Sequence, residues 1–357
     1  MIPRSTIDDI LTLASWAPSG DNVQPWQFAV AAHDHVVVYC ADTRHDTVYD
    51  LDGHPSQISF GALLETMAIA ASAHGLRADT SRRDLPAAEV SRPIFDVRFV
   101  ADASVTPDPL RAAIPVRSVQ RRPMRTTPLT AAHKAALLAA IGPAYELSWL
   151  ESFGERLTTA RLMYANAKLR LTMPEAYEVH RRIIDWDKQT SADKVPDAAL
   201  GVDAMTLKLM KWAMVSWGRL STMNTLMGTW APRLQMDLLP GIACAAHFVL
   251  RAKVKPVTID DYVAAGRALQ RFWLTLTQLG LSMQPEMTPL IFSKYVREQT
   301  AFTADTRLHA PAARLAERTT ALVFQHASHP VYMGRVGAGP APAARSLRKP
   351  LAQLMRP

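Results

Sequence analysis

Two distant stretches of this 357-residue chain follow one pattern. Residues 61–76 read GALLETMAIAASAHGL, and residues 266–281 read GRALQRFWLTLTQLGL. Both open on glycine, close on Gly-Leu and hold their two glycines fourteen residues apart. Leu63, Leu64, Met67, Ile69 and Ala70 in the first, and Leu269, Phe272, Trp273, Leu276 and Leu279 in the second, fall at helical spacing. Thr258 with Asp261 three residues on reads as an N-terminal capping box. Gly75 and Gly280 fit the left-handed position just beyond a helix end. Repeats constrain a fold more than any single motif. Gly-Leu is a common helix ending, however, so the flanks must separate duplication from coincidence.

The flanks agree. HVVVYC at 35–40 and IFDVRFV at 94–100 read as strands around the first helix; AAHFVLRAK at 245–253 and VYMGRVG at 331–337 take the same places around the second. Each half also opens with a helical pattern, within residues 7–30 and within residues 131–150 (AAHKAALLAAIGPAYELSWL). Such alternation predicts an α+β fold built from two related halves, residues 1–110 and 111–357. The Pro-containing stretch at 102–116 is the expected boundary. Residues of about 151–240 have no counterpart in the first half. They hold most of the methionines and, with their edges, five of the eight tryptophans. A Met-rich helical insertion suits an adaptable lid over an apolar ligand, or else core packing.

Composition bounds the function. An apolar content of 48% with 20% charged residues is that of a globular protein. Cys40 and Cys244 sit in no metal or redox spacing, which predicts a reducing compartment, the cytoplasm. No signal-peptide pattern and no apolar run of about 18 residues is present, so no membrane span is expected. The 40 basic residues behind the net charge of +8 are spread along the chain beside 32 acidic ones, and two arginine groupings stand out, RSVQRR at 117–122 and RSLRK at 345–349. Without interleaved aromatics or a nucleic-acid motif, these read as sites for one small anion, or as solvated surface, and not as a nucleic-acid face. Dinucleotide, P-loop, zinc-protease and hydrolase signatures are all absent. His74 and His180 read as ordinary polar residues. Asp50 and Asp52 read as turn and cap chemistry before a helix near residue 56, or as groups closing a pocket.

One loop stands out. SWAPSGDNVQPW at 15–26 places Ser19, Asp21, Asn22 and Gln24 between two tryptophans, where a helix gives way to a strand. Element boundaries favour ligand sites. A helix end followed by a turn explains the same composition.

Taken together, SGDNVQPW at 19–26, VRSVQRRPM at 116–124 and the tail GRVGAGPAPAARSLRKPLAQL at 334–354 resemble the flavin-dependent nitroreductase family. GLSMQPEMTP at 280–289 lies where that family has a Pro-Glu loop beside the flavin. The resemblance implies a nitroreductase-like fold and FMN bound by Ser19, Asn22, Gln24, Arg117, Ser118, Arg121, Gln284, Pro285, Glu286, Arg345 and Arg348. It also implies that a backbone N–H of the 284–287 loop faces the flavin N5. The ordinary family member is a homodimer with FMN in the interface. Here the Pro-Trp loop occurs only in the first half and the basic segments only in the second. That distribution resembles the fused, Acg-type subgroup, in which one chain mimics the dimer, and it implies one site per chain and a monomer or a homodimer. The implied activity is hydride transfer between FMN and a small organic substrate, with NAD(P)H as candidate reductant. The alternative is FMN binding or storage without turnover.

Overall fold

The computed structural model describes residues 1–356. The first half runs α1 (Arg4–Ala14), β1 (Trp26–Ala32), β2 (His35–Cys40), α2 (His54–Ser72), β3 (Leu76–Arg82) and β4 (Ile94–Ala101). The second begins with α3 (Ala131–Ile141) and β5 (Tyr145–Leu150). An insertion follows: α4 (Phe153–Leu171), α5 (Pro174–Ile183), β6 (Ile184–Asp185), β7 (Thr190–Ser191), β8 (Val195–Pro196), α6 (Ala204–Ala213), α7 (Trp217–Met227), α8 (Trp230–Arg233) and α9 (Leu239–Ile242). Then come β9 (Ala246–Ala252), α10 (Ile259–Gln278), β10 (Leu281–Pro285), α11 (Thr288–Arg297), α12 (His309–Val323) and β11 (His329–Ala338). A tail carries β12 (Arg345–Ser346) and α13 (Leu351–Leu354).

Two four-stranded antiparallel sheets result, ordered β1-β2-β4-β3 and β10-β11-β9-β5. With the two-residue strands of the insertion set aside, each sheet places its strands in the order first, second, fourth, third along its own half. The helical pattern expected across 131–150 breaks at Gly142, whose φ is +77°. Beyond it Tyr145, Leu147 and Trp149 alternate onto the core of the second sheet, so YELSWL is a strand. Period two outweighs the helical run that precedes it.

Between the sheets α2 packs on α10. Gly61 and Gly266 stand where the two backbones meet: a Cβ on Gly61 would lie 1.9 Å from the Val263 carbonyl oxygen, and one on Gly266 would lie 2.0 Å from that of Ile58. Only glycine allows this approach. Beside the crossing, Gln270 donates to Thr66 at 2.9 Å. Thr258 and Asp261 form the expected capping box, and Gly75 and Gly280 take positive φ. Each sheet also has its own core, α1 and α2 covering the first and α3 and α10 the second.

The insertion is helical, as expected, and divides its roles. Helix α4 joins a core with α11 and α12, whereas α6 and α7 contribute only to small satellite clusters. The tail crosses to the first half, where Met355 bridges Phe28 on β1, while Val119 bridges Met283 on β10 within the second half. Strand β12 pairs with β7 of the insertion.

Candidate functional site

A cavity of about 800 Å³ lies between the halves. Its wall takes in the 18–23 loop, the start of α2, Arg117–Arg121, the end of β10, the tail at 344–348 and the inner faces of α6 and α7. Nine of the eleven residues expected at a flavin line it: Ser19, Asn22, Arg117, Ser118, Arg121, Gln284, Pro285, Arg345 and Arg348. The other two stand behind the wall.

Gln24 is one of these. Its amide donates to the carbonyls of Asn22 (2.9 Å) and Ala192 (2.8 Å) and accepts from the Lys349 N–H at 2.9 Å. It ties the loop to the insertion and the tail, and its polar atoms are used up in doing so. Glu286 is the other. Its carboxylate is buried between His247, at 2.6 Å, and Arg335, at 3.0 Å, and its backbone N–H bonds the Met333 carbonyl. Burial works against the His247 charge, but Glu286 overrides it and lifts that histidine to about 10. Glu286 therefore holds β10 against β9 and β11, and its own backbone N–H is taken by Met333.

The loop itself is strained. Asp21, Asn22 and Gln24 have φ of 51°, 64° and 51°, while Gly20 does not use its freedom. Left-handed non-glycine residues cost about 1–3 kcal/mol each when the conformation is sparsely populated, less for Asn and Asp, and they cluster at ligand sites. A plain turn would place glycine there. The loop is held from outside, with Asn22 donating to the carbonyls of Ala192 and Lys194, both at 3.2 Å.

At one end of the cavity three guanidinium groups gather around Trp16. Arg117 and Arg348 donate to the Trp16 carbonyl, and Arg345 donates to the Pro115 carbonyl at 2.7 Å. Arg345 and Arg348 also lie over the Trp16 ring, and Arg117 lies 4.4 Å over the Trp273 ring. Among the described residues no carboxylate pairs with any of the three. Burial and then the neighbouring Arg345 charge bring Arg117 down to about 10, and burial with the Arg117 charge lowers Arg348. A site that packs like charges together awaits an anion. Trp16 thus serves as a platform for arginines and not only as core filling.

A second polar group faces the cavity under the insertion, and the sequence reading missed it. Tyr49 shares a 3.0 Å hydrogen bond with His180, beside Arg170 and Asp21. Burial, with the Arg170 charge, brings His180 down to about 3, so it is neutral at physiological pH. Burial raises Asp21, and Arg121 partly offsets this. Nothing in the local sequence marks Tyr49, Arg170 and His180 as neighbours, because they come from different elements.

Around the same cavity several buried polar atoms have no protein partner: Asn22 Oδ1, Gln284 Oε1, Thr288 Oγ1, Arg117 Nε and Arg345 Nε. Buried polar atoms are normally satisfied. Orphans that share one cavity wall fit a polar ligand with an anionic end.

Residues 1–57, which carry the loop, match the family model described as Nitroreductase family, so this part of the chain is similar to that family. An uncharacterized protein of Mycobacterium tuberculosis (strain CDC 1551 / Oshkosh), MT1398, is 24% identical over 297 residues, 81% of this chain. The chain spans only 39% of that relative's length. A nitroreductase-like family protein from Bacillus cereus is 10% identical, covers 70% of this chain and 95% of its own, and has a TM-score of 0.35. The FMN-dependent nitroreductase NfnB from Mycobacterium smegmatis, solved with NADPH, is 12% identical, covers 68% and 95%, and has a TM-score of 0.36.

Proposed function

We propose that this chain is an FMN-dependent oxidoreductase passing hydride to or from a small organic substrate, with one flavin site per chain formed between two fused, related halves. One observation carries the proposal: Arg117, Arg345 and Arg348 are brought together without a carboxylate at the end of a cavity whose side wall is the strained Pro-Trp loop. The nitroreductase match over residues 1–57 supports the same conclusion.

The residues present fit FMN. The arginine trio suits a phosphate dianion, because guanidinium groups bind such oxygens through paired, charge-assisted hydrogen bonds. The orphaned atoms of Asn22, Gln284 and Thr288 suit the polar edge of the ring and the ribityl hydroxyls. Bound FMN supplies hydride transfer and the electron sink. The chain's own residues do the rest. Arg121 sets positive charge on the cavity wall, and the apolar faces of α6 and α7 exclude water. The Tyr49 hydroxyl, hydrogen-bonded to neutral His180, holds a proton at Oη on the substrate side.

The start of α10, the counterpart in the second half of the start of α2 that lines the cavity, supports a single site per chain: it carries Asp260, ion-paired with Arg82 at the end of β3 at 2.8 Å, and no Pro-Trp loop adjoins it. A second reading, FMN binding without turnover, draws support from the cover that α5–α7 place over the cavity. Purified protein should show a flavin spectrum that NAD(P)H bleaches and an electron acceptor restores. A bound flavin inert to reductants and acceptors alike would favour storage, and no bound flavin would remove both readings.

A further inference from the structure

The outer face of the insertion is unlike the rest of the surface. Met205 and Trp212, one heptad apart on α6, are 75% and 52% exposed, and Leu226 on α7 is 80% exposed. Val215 and Trp230 extend the exposed apolar surface along the same segment. The two helices present one continuous face. Arg219 of α7 lies 5.5 Å over the Trp212 ring of α6, and Leu226 is one heptad beyond Arg219. Five large apolar side chains this exposed on one short segment need a partner.

The charge on the segment indicates which partner. Residues 204–236 contain no aspartate or glutamate, but they include Lys208, Lys211, Arg219 and Arg233. Arg233 is buried over Tyr164, and Lys211 is held by Asp187. Lys208 and Arg219 pair with no carboxylate among the described residues. Exposed tryptophans and leucine interleaved with free cations, on short helices lying along a surface, have the chemistry of an element seated in a lipid interface. No described helix is long and apolar enough to cross a membrane.

We propose that the outer face of α6 and α7 docks on the surface of an anionic lipid bilayer. The aromatic and aliphatic side chains enter the headgroup region, and Lys208 and Arg219 meet lipid phosphates. The opposite faces of the same two helices, through Met210, Met214, Leu220 and Met223, line the cavity. An apolar molecule dissolved in the bilayer thus lies about one helix diameter, roughly 10 Å, from the chamber.

Co-sedimentation with vesicles tests this independently of any flavin. The full chain should bind phosphatidylcholine vesicles that contain phosphatidylglycerol, bind pure phosphatidylcholine far less, and release with added salt. Trp212→Ser with Leu226→Ser should lower the partition coefficient on the order of tenfold or more. Lys208→Glu with Arg219→Glu should abolish the preference for anionic lipid. All four positions are exposed, so an unchanged melting temperature is the control for folding. Three results would each overturn the proposal. One is no binding to anionic vesicles at low salt; another is equal binding by the wild type and both variants. The third is a wild-type dimer that ignores vesicles and that Trp212→Ser with Leu226→Ser splits, which would assign the face to a second copy of the chain.

Discussion

Arg117 and Arg348 donate to one and the same acceptor, the backbone carbonyl oxygen of Trp16, at 3.0 and 3.2 Å. One oxygen, just beyond the end of α1, thus joins the start of the Pro-Trp loop, the segment after the link between the halves and the chain's tail. Arg348 also donates from Nε to the Ala17 carbonyl and from Nη1 to the Leu347 carbonyl, so the second N–H of each of its Nη atoms, with Nε and Nη1 of Arg117, is left for an anion. Replacing either arginine with alanine should weaken FMN binding about ten- to a hundredfold, the loss of one charge-assisted contact of roughly 1.5–3 kcal/mol. Titration of the apoprotein with FMN at low salt measures it. Full affinity in both variants would place the anion elsewhere.

Asn22 and Gln24 should behave differently, although the sequence treats them alike. Gln24→Ala removes three buried hydrogen bonds that fix the loop to residues 192 and 349, and it should lower stability by about 2–4 kcal/mol. Asn22→Ala leaves those in place but removes its own bonds to the Ala192 and Lys194 carbonyls together with the orphaned oxygen facing the cavity, so it should lower FMN affinity as well as stability. Melting curves and flavin titrations on both variants separate the two roles.

Gly266→Ala, like Gly61→Ala at the same crossing, should be strongly damaging for a single-methyl change. Its Cβ would meet the Ile58 carbonyl at 2.0 Å and the Gly61 Cα at 2.9 Å, backbone atoms on a buried helix. Forcing α2 and α10 apart should cost at least about 3 kcal/mol and open the cavity between the halves. A melting temperature within a degree or two of wild type would contradict the close helix crossing.

His247 makes stability fall on the alkaline side. Its folded value is lifted to about 10, against about 6.5 in an unfolded chain. The folded state therefore keeps its proton after the unfolded state has lost it. The stabilisation is complete below about pH 6.5 and disappears as pH rises toward 10. Glu286, Arg335 and Cys244 are the titratable groups around it. His247→Gln should be less stable at pH 6 and show a shallower decline up to pH 10. Equal slopes would mean that the buried Glu286 pair does not hold that proton.

Much of this was legible in the sequence. The repeated Gly-x13-Gly-Leu helices are the α2–α10 pair, and the three basic or polar motifs do converge on one cavity. What escaped has physical reasons. YELSWL was hidden behind a strong helical run, because a six-residue strand has too few periods to compete with eleven residues of Ala-rich helix. Glu286 looked like a ligand-facing acid, yet His247 and Arg335, which consume it, lie 39 and 49 residues away in sequence. Tyr49, Arg170 and His180 meet only because the insertion folds back over the first half. Trp16 looked like a core residue because its carbonyl and its ring face serve the arginines, and no pattern of side chains reports a carbonyl.

The central claim is that the two halves of this chain build one flavin site between them. Acid release of flavin from purified, FMN-saturated protein, followed by chromatographic quantification against protein concentration, tests it most directly. The account predicts one FMN per chain, lost together with the arginine trio. Two FMN per chain would contradict the single shared site, and an FMN-saturated preparation that retains none would contradict the flavin assignment itself.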